Sequence, residues 1–214
     1  MWAYCAWQVF EAAPELEIGA FSVNAWMSLV EGITRIIFLW LLVALAVLDA
    51  ENLWLPDRLT LPGIFLGFAH AVTRGSLIAS MAFGGGFDQW KHQIALSVFY
   101  WFFGAVACAG AVLVIRWVYI MFRGHEGIGM GDVKLMAMLG GWLGIKSAVL
   151  SFAIAVAIGL LAALIVFARP SARANKKQWG LMKLPLGAFI CAGGIVSAFW
   201  GGPIIDAYRR LAGI

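Results

Sequence analysis

The chain has 214 residues, of which 63% are hydrophobic and only 12% are charged, and its mean hydropathy is +0.91. Soluble domains carry about 25% charged residues, so this composition excludes an ordinary soluble enzyme and leaves little room for a second, soluble domain. The net charge is +4, and an excess of positive charge in a membrane protein more often sets its orientation than binds nucleic acid. We therefore do not expect nucleic acid as a partner.

Apolar segments along the chain predict an all-α, polytopic membrane protein of about six transmembrane helices, one of them short. The expected spans are 25–48, 59–73 with a continuation past Arg74 toward Phe83, 94–115, 135–145, 147–168 and 184–205. The fourth covers only about 16 Å as a helix, which is short of a ~30 Å hydrocarbon core. A helix of this length is stable in a membrane only against protein neighbours or a wet cavity. A polar loop is expected at 88–92, before the third span.

The ends of the chain differ in charge from the membrane domain at 25–206. Residues 1–24 contain three glutamates and no lysine or arginine, which indicates an acidic, non-cytoplasmic lead-in. Residues 207–214 are expected to be a short tail.

Lysines and arginines are unevenly distributed between the two sides of the predicted bundle. Nine fall on the side where spans one and two, three and four, and five and six are joined: Arg58, Arg116, Arg123, Lys134, Arg169, Arg173, Lys176, Lys177 and Lys183. Five fall on the other side: Arg74, Lys91, Lys146, Arg209 and Arg210. The positive-inside rule therefore places the first side in the cytoplasm and the amino terminus outside.

Two aspartates lie at the cytoplasmic ends of predicted spans. Asp49 follows the first span, and Asp132 closes the sequence Gly129-Met130-Gly131-Asp132 at the start of the short fourth one. An aspartate is costly there, whereas glycines let a second chain approach closely. Two close carboxyl groups do not both ionise easily, so one can draw a proton from water while the other gives a proton to a carbonyl.

The stretches around both aspartates resemble the signature of the type IV prepilin peptidases, membrane aspartyl proteases with a Gly-x-Gly-Asp motif. The first reads Asp49, then Pro56-Asp57, then Leu-Thr; the second continues through Lys134-Leu to Gly-Trp-Leu-Gly at 141–144. A weaker third stretch, Pro185-Leu-Gly-Ala-Phe, is similar to the family's Pro-Phe-Gly-Pro-Phe but has Ala188 in place of the second proline. Together the matches extend from about residue 48 to 189.

The resemblance implies an aspartic endopeptidase of the bacterial inner membrane that faces the cytoplasm. Its catalytic residues would be Asp49 and Asp132. It would remove the short, basic leader from prepilins or pseudopilins, whose apolar amino-terminal helix lies in the bilayer. Residues expected to bind substrate or shape the site are Gly129, Gly131, Lys134, Glu126, Pro56, Asp57 and Pro185. We expect no cofactor and no metal, and the sequence leaves the oligomeric state open.

Several of these residues have a simpler interpretation. Asp132 could cap a helix, and Asp49 could be a solvated charge beside the membrane. Asp57 competes with Asp49 for the catalytic role, but we favour a cap at the start of the second span. Lys134 either anchors a helix at the headgroups or holds a substrate carboxylate, and Glu126 is either solvated or meets a positive group of the leader.

Long members of the family carry a cytoplasmic insert with paired Cys-x-x-Cys motifs, which is associated with methylation of the product. The cysteines here, Cys5, Cys108 and Cys191, form no such pair. The chain therefore resembles a short, peptidase-only form, and methyltransferase activity is in question.

Two other functions are compatible with paired membrane carboxylates. One is a different Gly-x-Gly-Asp protease, similar to signal peptide peptidase, although its usual Tyr-Asp and Pro-Ala-Leu motifs read Leu48-Asp49 and Leu184-Pro185-Leu186 here. The other is a transporter or channel that binds protons or cations. A proteolysis assay separates the transporter from both proteases.

Overall fold

The computed structural model describes residues 21–52, 54–83, 87–124, 127–168 and 185–213. These residues form five helices, and they contain no strand. The helices are α1 (Phe21–Asn52), α2 (Asp57–Phe83), α3 (Phe87–Arg123), α4 (Met130–Ala168) and α5 (Leu186–Ala212). All five are long and apolar enough to cross a membrane, which confirms the prediction of an all-α, polytopic membrane protein.

Helix α4 contains two of the predicted spans, separated at Gly144, whose φ of 76° and ψ of 166° are not helical. Before this break, α4 runs parallel to α5, because Gly194 packs against Leu139 and Asp132 lies near the start of α5. After it, α4 runs antiparallel to α5, because Gly193 packs against Ser151 and Ser197 donates a 2.7 Å hydrogen bond to the carbonyl of Ser147. The chain therefore reverses at Gly144. Segment 130–143 is a short helix of about 20 Å.

The short segment of α4 occupies the centre of the bundle. Its side chains Leu135, Met138 and Leu139 are fully buried. Trp142 donates a 2.8 Å hydrogen bond to the carbonyl of Gly63 in α2 and stacks on Phe38 of α1. A helix too short to cross the bilayer alone is thus enclosed by protein, as its length requires.

Many large apolar side chains on the outside of the bundle are exposed, as expected for a surface in contact with lipid. Examples are Trp40, Phe65, Phe102 and Leu161, each more than half exposed. The buried residues form one cluster around the short segment of α4. Residues of all five helices belong to this cluster or pack against it.

Some predicted boundaries differ from the structure. The polar loop expected at 88–92 is wrong, because these residues belong to α3, which begins at Phe87. Polar residues at a helix end are compatible with a helix that continues past the hydrocarbon core. Helix α2 reaches Phe83, as expected for the second span, whereas α5 continues to Ala212, into the expected tail. Of the acidic lead-in, residues 1–20 lie outside the described part of the chain, as does the basic segment 169–183.

Candidate active site

The two aspartates singled out from the sequence lie at the same end of the bundle. Asp49 is in the last turn of α1, and Asp132 is in the first turn of α4. Both are buried, with 5% and 7% of their surface exposed. They are close enough for the charge of Asp49 to act on Asp132. The structure therefore brings together the two carboxyl groups that the sequence places at the ends of different spans.

A backbone hydrogen bond holds the Asp132 carboxylate at the start of α4. The N–H of Gly129 donates to Oδ2 of Asp132 at 3.3 Å. Gly129 directly precedes the helix and Asp132 is its third residue, so the pair makes one half of a capping box. Helix capping, the simpler interpretation of Asp132, thus does occur here, and it engages one of the two carboxylate oxygens.

Asp49 is held by the start of a different helix. The N–H of Ala188, in the first turn of α5, donates to Oδ2 of Asp49 at 2.8 Å. The first N–H groups of a helix have no partner within it, and the residue before α5, Pro185, provides no side-chain cap. The Asp49 carboxylate supplies that cap from α1, at a position where a helix favours negative charge.

Pro185 acts at this site through its backbone. Its carbonyl accepts a 3.4 Å hydrogen bond from the N–H of Phe189 and so begins α5. The residues of α5 that meet Asp49 are Gly187 and Ala188. Both belong to the weaker third stretch of the sequence. Nothing in that stretch indicated that the backbone N–H of Ala188 would bind Asp49.

Two glycines and one leucine pack together beside the aspartates. A Cβ on Gly131 would lie 2.8 Å from Cβ of Leu55. A Cβ on Gly187 would lie 2.7 Å from Cδ1 of Leu55 and 2.8 Å from Oδ2 of Asp49. Sequence reasoning selected Gly131 but missed Gly187 and Leu55. An apolar residue between two charged motifs carries no local signal of its place in a site.

Asp57 and Lys134 form a pair beside the site. Asp57 is the first residue of α2, and its Oδ1 lies 2.6 Å from Nζ of Lys134. The Asp57 side chain is 56% exposed, in contrast to the two buried aspartates. The capping role favoured for Asp57 stays a prediction. The carboxylate that Lys134 binds in this structure is that of Asp57.

The remaining predicted residues are less informative. The carbonyl of Pro56 accepts hydrogen bonds from the N–H groups of Leu59 and Thr60, which starts α2. Glu126 lies outside the described part of the chain. Cys191 of α5 is fully buried and within electrostatic range of both Asp49 and Asp132. Across the described ranges, no three His, Cys, Asp or Glu residues are grouped so that they could hold a metal ion.

Sequence comparisons relate the chain to known proteins. A sequence model described as the type IV leader peptidase family matches residues 36–164, a range that contains both aspartates. The chain is 29% identical over 185 residues to a prepilin leader peptidase/N-methyltransferase of Xanthomonas campestris, covering 86% of this chain and 55% of that protein. It is also 29% identical over 174 residues to the protein of that name from Pseudomonas aeruginosa, covering 81% and 51%.

A prepilin leader peptidase/N-methyltransferase of Burkholderia pseudomallei is 31% identical over 162 residues, which is 76% of this chain and 44% of that protein. The chain thus spans about half the length of these curated relatives. No solved structure matches it. Because the family match covers more than half of the chain and includes both buried aspartates, the protein belongs to the type IV leader peptidase family.

Proposed function

We propose that this protein is an aspartic endopeptidase that removes the leader from prepilins or pseudopilins at the cytoplasmic face of the bacterial inner membrane. The observation that carries the proposal is the pairing of Asp49 and Asp132, buried at one end of a membrane bundle and each held by a backbone N–H group. The family of the chain and the names of its relatives support this substrate class.

The chemistry follows from having two carboxyl groups in one site. One, ionised, takes a proton from a water molecule as the water oxygen attacks the scissile carbonyl carbon. The other, protonated, gives its proton to the carbonyl oxygen, so the tetrahedral intermediate carries no full negative charge. When that intermediate collapses, the C–N bond breaks, the leaving amine takes up the proton that the first carboxyl group accepted from water, and the second takes a proton back from a hydroxyl of the intermediate. No acyl-enzyme forms, and no metal is needed.

The location of the site at the end of the bundle suits the proposed substrate. The leader is basic and polar, whereas the segment that follows it is an apolar helix that lies in the bilayer. A catalytic pair at the end of the helices, rather than at their middle, meets the junction between these two parts. Gly129 and Gly131 would allow the substrate backbone to approach Asp132 closely.

Orientation is part of the proposal. The site end contains Arg58, Arg123 and Lys134, and the basic segment 169–183 connects α4 to the start of α5, where the N–H of Ala188 binds Asp49. An excess of lysine and arginine on one side favours the cytoplasm. Trp54, exposed at this end, offers a direct test. When Trp54→Cys is made in a Cys5→Ser chain, whose remaining cysteines are buried, a membrane-impermeant maleimide is expected to label inverted vesicles and not right-side-out ones. The reverse pattern would contradict a cytoplasmic site.

Cleavage of a co-expressed prepilin, followed as a mobility shift at equal membrane abundance, tests the activity. Asp49→Asn and Asp132→Asn are each expected to lower cleavage by at least about 100-fold, because each removes a proton-transfer group. Asp57→Asn is the matched control, since it makes the same change at the exposed carboxylate bound to Lys134, and it is expected to remain active.

Each alternative outcome has a distinct meaning. If Asp57→Asn were inactive and Asp49→Asn active, the protein would be a peptidase with a different catalytic pair. If the wild type cleaved none of several prepilins and pseudopilins, the peptidase proposal would fail and a transporter with paired carboxylates would replace it. Mass spectrometry of the cleaved product reports separately whether its new amino terminus is methylated.

A further inference from the structure

Leu55 lies in the short connection between α1 and α2, and it points into the protein. Only 5% of its surface is exposed, whereas its neighbour Trp54 is 66% exposed. The Leu55 side chain belongs to the buried cluster of the bundle. It reaches Gly131 on one side and Gly187 on the other, so it bridges the starts of α4 and α5.

Those two glycines adjoin the two aspartates. Gly131 directly precedes Asp132 in α4. Gly187 directly precedes Ala188, whose N–H binds Asp49, and a Cβ on Gly187 would approach both Leu55 and the Asp49 carboxylate. The side chain of Leu55 therefore packs against the residue that directly precedes Asp132 and against the glycine that contacts Asp49, in room that exists because both residues lack a side chain.

We infer that Leu55 fills the substrate's place in the free protein and has to be displaced before a peptide can reach both Asp49 and Asp132. The inference rests on the proposed function, because it concerns access to the same site. A scissile bond must contact both carboxyl groups at once, and a buried leucine between the glycines beside them is incompatible with a peptide in that position.

The backbone around Leu55 is suited to such a movement. The connection 54–56 is not helical, and the hydrogen bonds that begin α2 start at the Pro56 carbonyl, one residue later. Leu55 can therefore leave without unwinding a turn of α2.

Displacement makes Leu55 a determinant of specificity. Moving it out of the protein exposes apolar surface, which is unfavourable. A substrate that places an apolar side chain in the vacated space restores the lost burial, whereas a polar one does not. Leu55 would thus select peptides with an apolar residue next to the cleaved bond.

Kinetics distinguish this role from simple packing. In Leu55→Ala less side chain has to be displaced, so KM for a prepilin is expected to fall by roughly three- to tenfold, with kcat unchanged within about twofold. Leu42→Ala is the matched control, because it removes the same atoms from a fully buried position beside Gly194. It is expected to lower the amount of folded protein and leave KM unchanged. An unchanged or raised KM in Leu55→Ala would contradict the inference.

Thiol labelling tests the movement directly and does not depend on turnover. Leu55→Cys and Trp54→Cys are each made in a Cys5→Ser, Asp132→Asn chain, whose remaining cysteines, Cys108 and Cys191, are buried. Labelling by a maleimide is compared with and without an excess of purified prepilin. Without prepilin, Leu55→Cys is expected to label at least about tenfold more slowly than Trp54→Cys. Prepilin should accelerate labelling of Leu55→Cys several-fold.

The outcomes separate this inference from the proposed function. If the wild type cleaves the prepilin but labelling of Leu55→Cys does not change, the peptidase stands and Leu55 is a fixed core residue. If Leu55→Cys labels as fast as Trp54→Cys without prepilin, the site is already open and the inference fails. If the wild type does not cleave the prepilin, the proposed function fails first and the displacement of Leu55 by substrate fails with it.

Discussion

The backbone N–H of Ala188 donates a 2.8 Å hydrogen bond to the carboxylate of Asp49, across 139 positions of sequence. It joins the last turn of α1 to the first turn of α5. The bond caps α5 and at the same time fixes the orientation of a buried carboxylate. The family pattern that the third stretch resembles has proline at this position, and a proline here would carry no N–H group to donate to Asp49.

Ala188→Pro tests the importance of that contact. Proline is tolerated in the first turn of a helix, so the bundle should still form. The hydrogen bond is lost, and because bonds to charged groups contribute about 1.5–3 kcal/mol, kcat for prepilin cleavage is expected to fall by roughly tenfold. Ala188→Ser keeps the N–H and should retain activity. Equal kcat values for the two variants would show that the bond does not position Asp49 for catalysis.

Some of this site could be predicted from the sequence. The Asp49 and Asp132 stretches were recognisable motifs, and the distribution of lysine and arginine placed both residues on one side of the membrane. The hydrogen bond from Ala188 could not be predicted, because every residue except proline carries a backbone N–H and only the packing of α1 against α5 selects this one. The burial of Leu55 is likewise a tertiary result: its neighbour Trp54 is exposed, and hydrophobicity alone does not distinguish them.

The ion pair between Asp57 and Lys134 should contribute little to stability. Both side chains are partly exposed, 56% and 33% respectively, and such pairs contribute about 0–1 kcal/mol. In a double-mutant cycle of Asp57→Asn and Lys134→Met, thermal unfolding in detergent is expected to give a coupling energy of no more than ~1 kcal/mol. The coupling should decrease with added salt. A coupling of several kcal/mol would mean that the pair is structural despite its exposure.

Close packing between α3 and the short segment of α4 depends on Gly104 and Gly140. A Cβ on either residue would collide with the backbone carbonyl of the other. Gly104→Ala is therefore expected to force the helices apart and destabilise the protein by about 1–3 kcal/mol. Gly110→Ala, on the same helix with no atom within 4 Å of its Cβ, is the control. The yield of monodisperse protein in size-exclusion chromatography should fall only for Gly104→Ala, and equal yields would contradict this contact.

The reversal at Gly144 depends on backbone conformation, not on space. No atom lies within 4 Å of a Cβ at Gly144, and the same is true of Gly32 in α1. Of these two residues, only Gly144 has a positive φ, 76° with ψ 166°. This region is essentially restricted to glycine and costs other residues about 1–3 kcal/mol. Gly144→Ala is therefore expected to lower the melting temperature in detergent, whereas Gly32→Ala should be neutral or stabilising, since alanine favours a helix.

The same two variants link the reversal to activity. Gly144 lies at the opposite end of the short segment from Asp132, so a strained turn is expected to reduce the amount of folded protein more than the cleavage rate per folded molecule. If Gly144→Ala were as stable as Gly32→Ala, the chain would not need a glycine-only conformation there. The glycine-only turn would then not be what ends segment 130–143. The enclosure of this short helix, which positions Asp132 in the bundle, would need another cause.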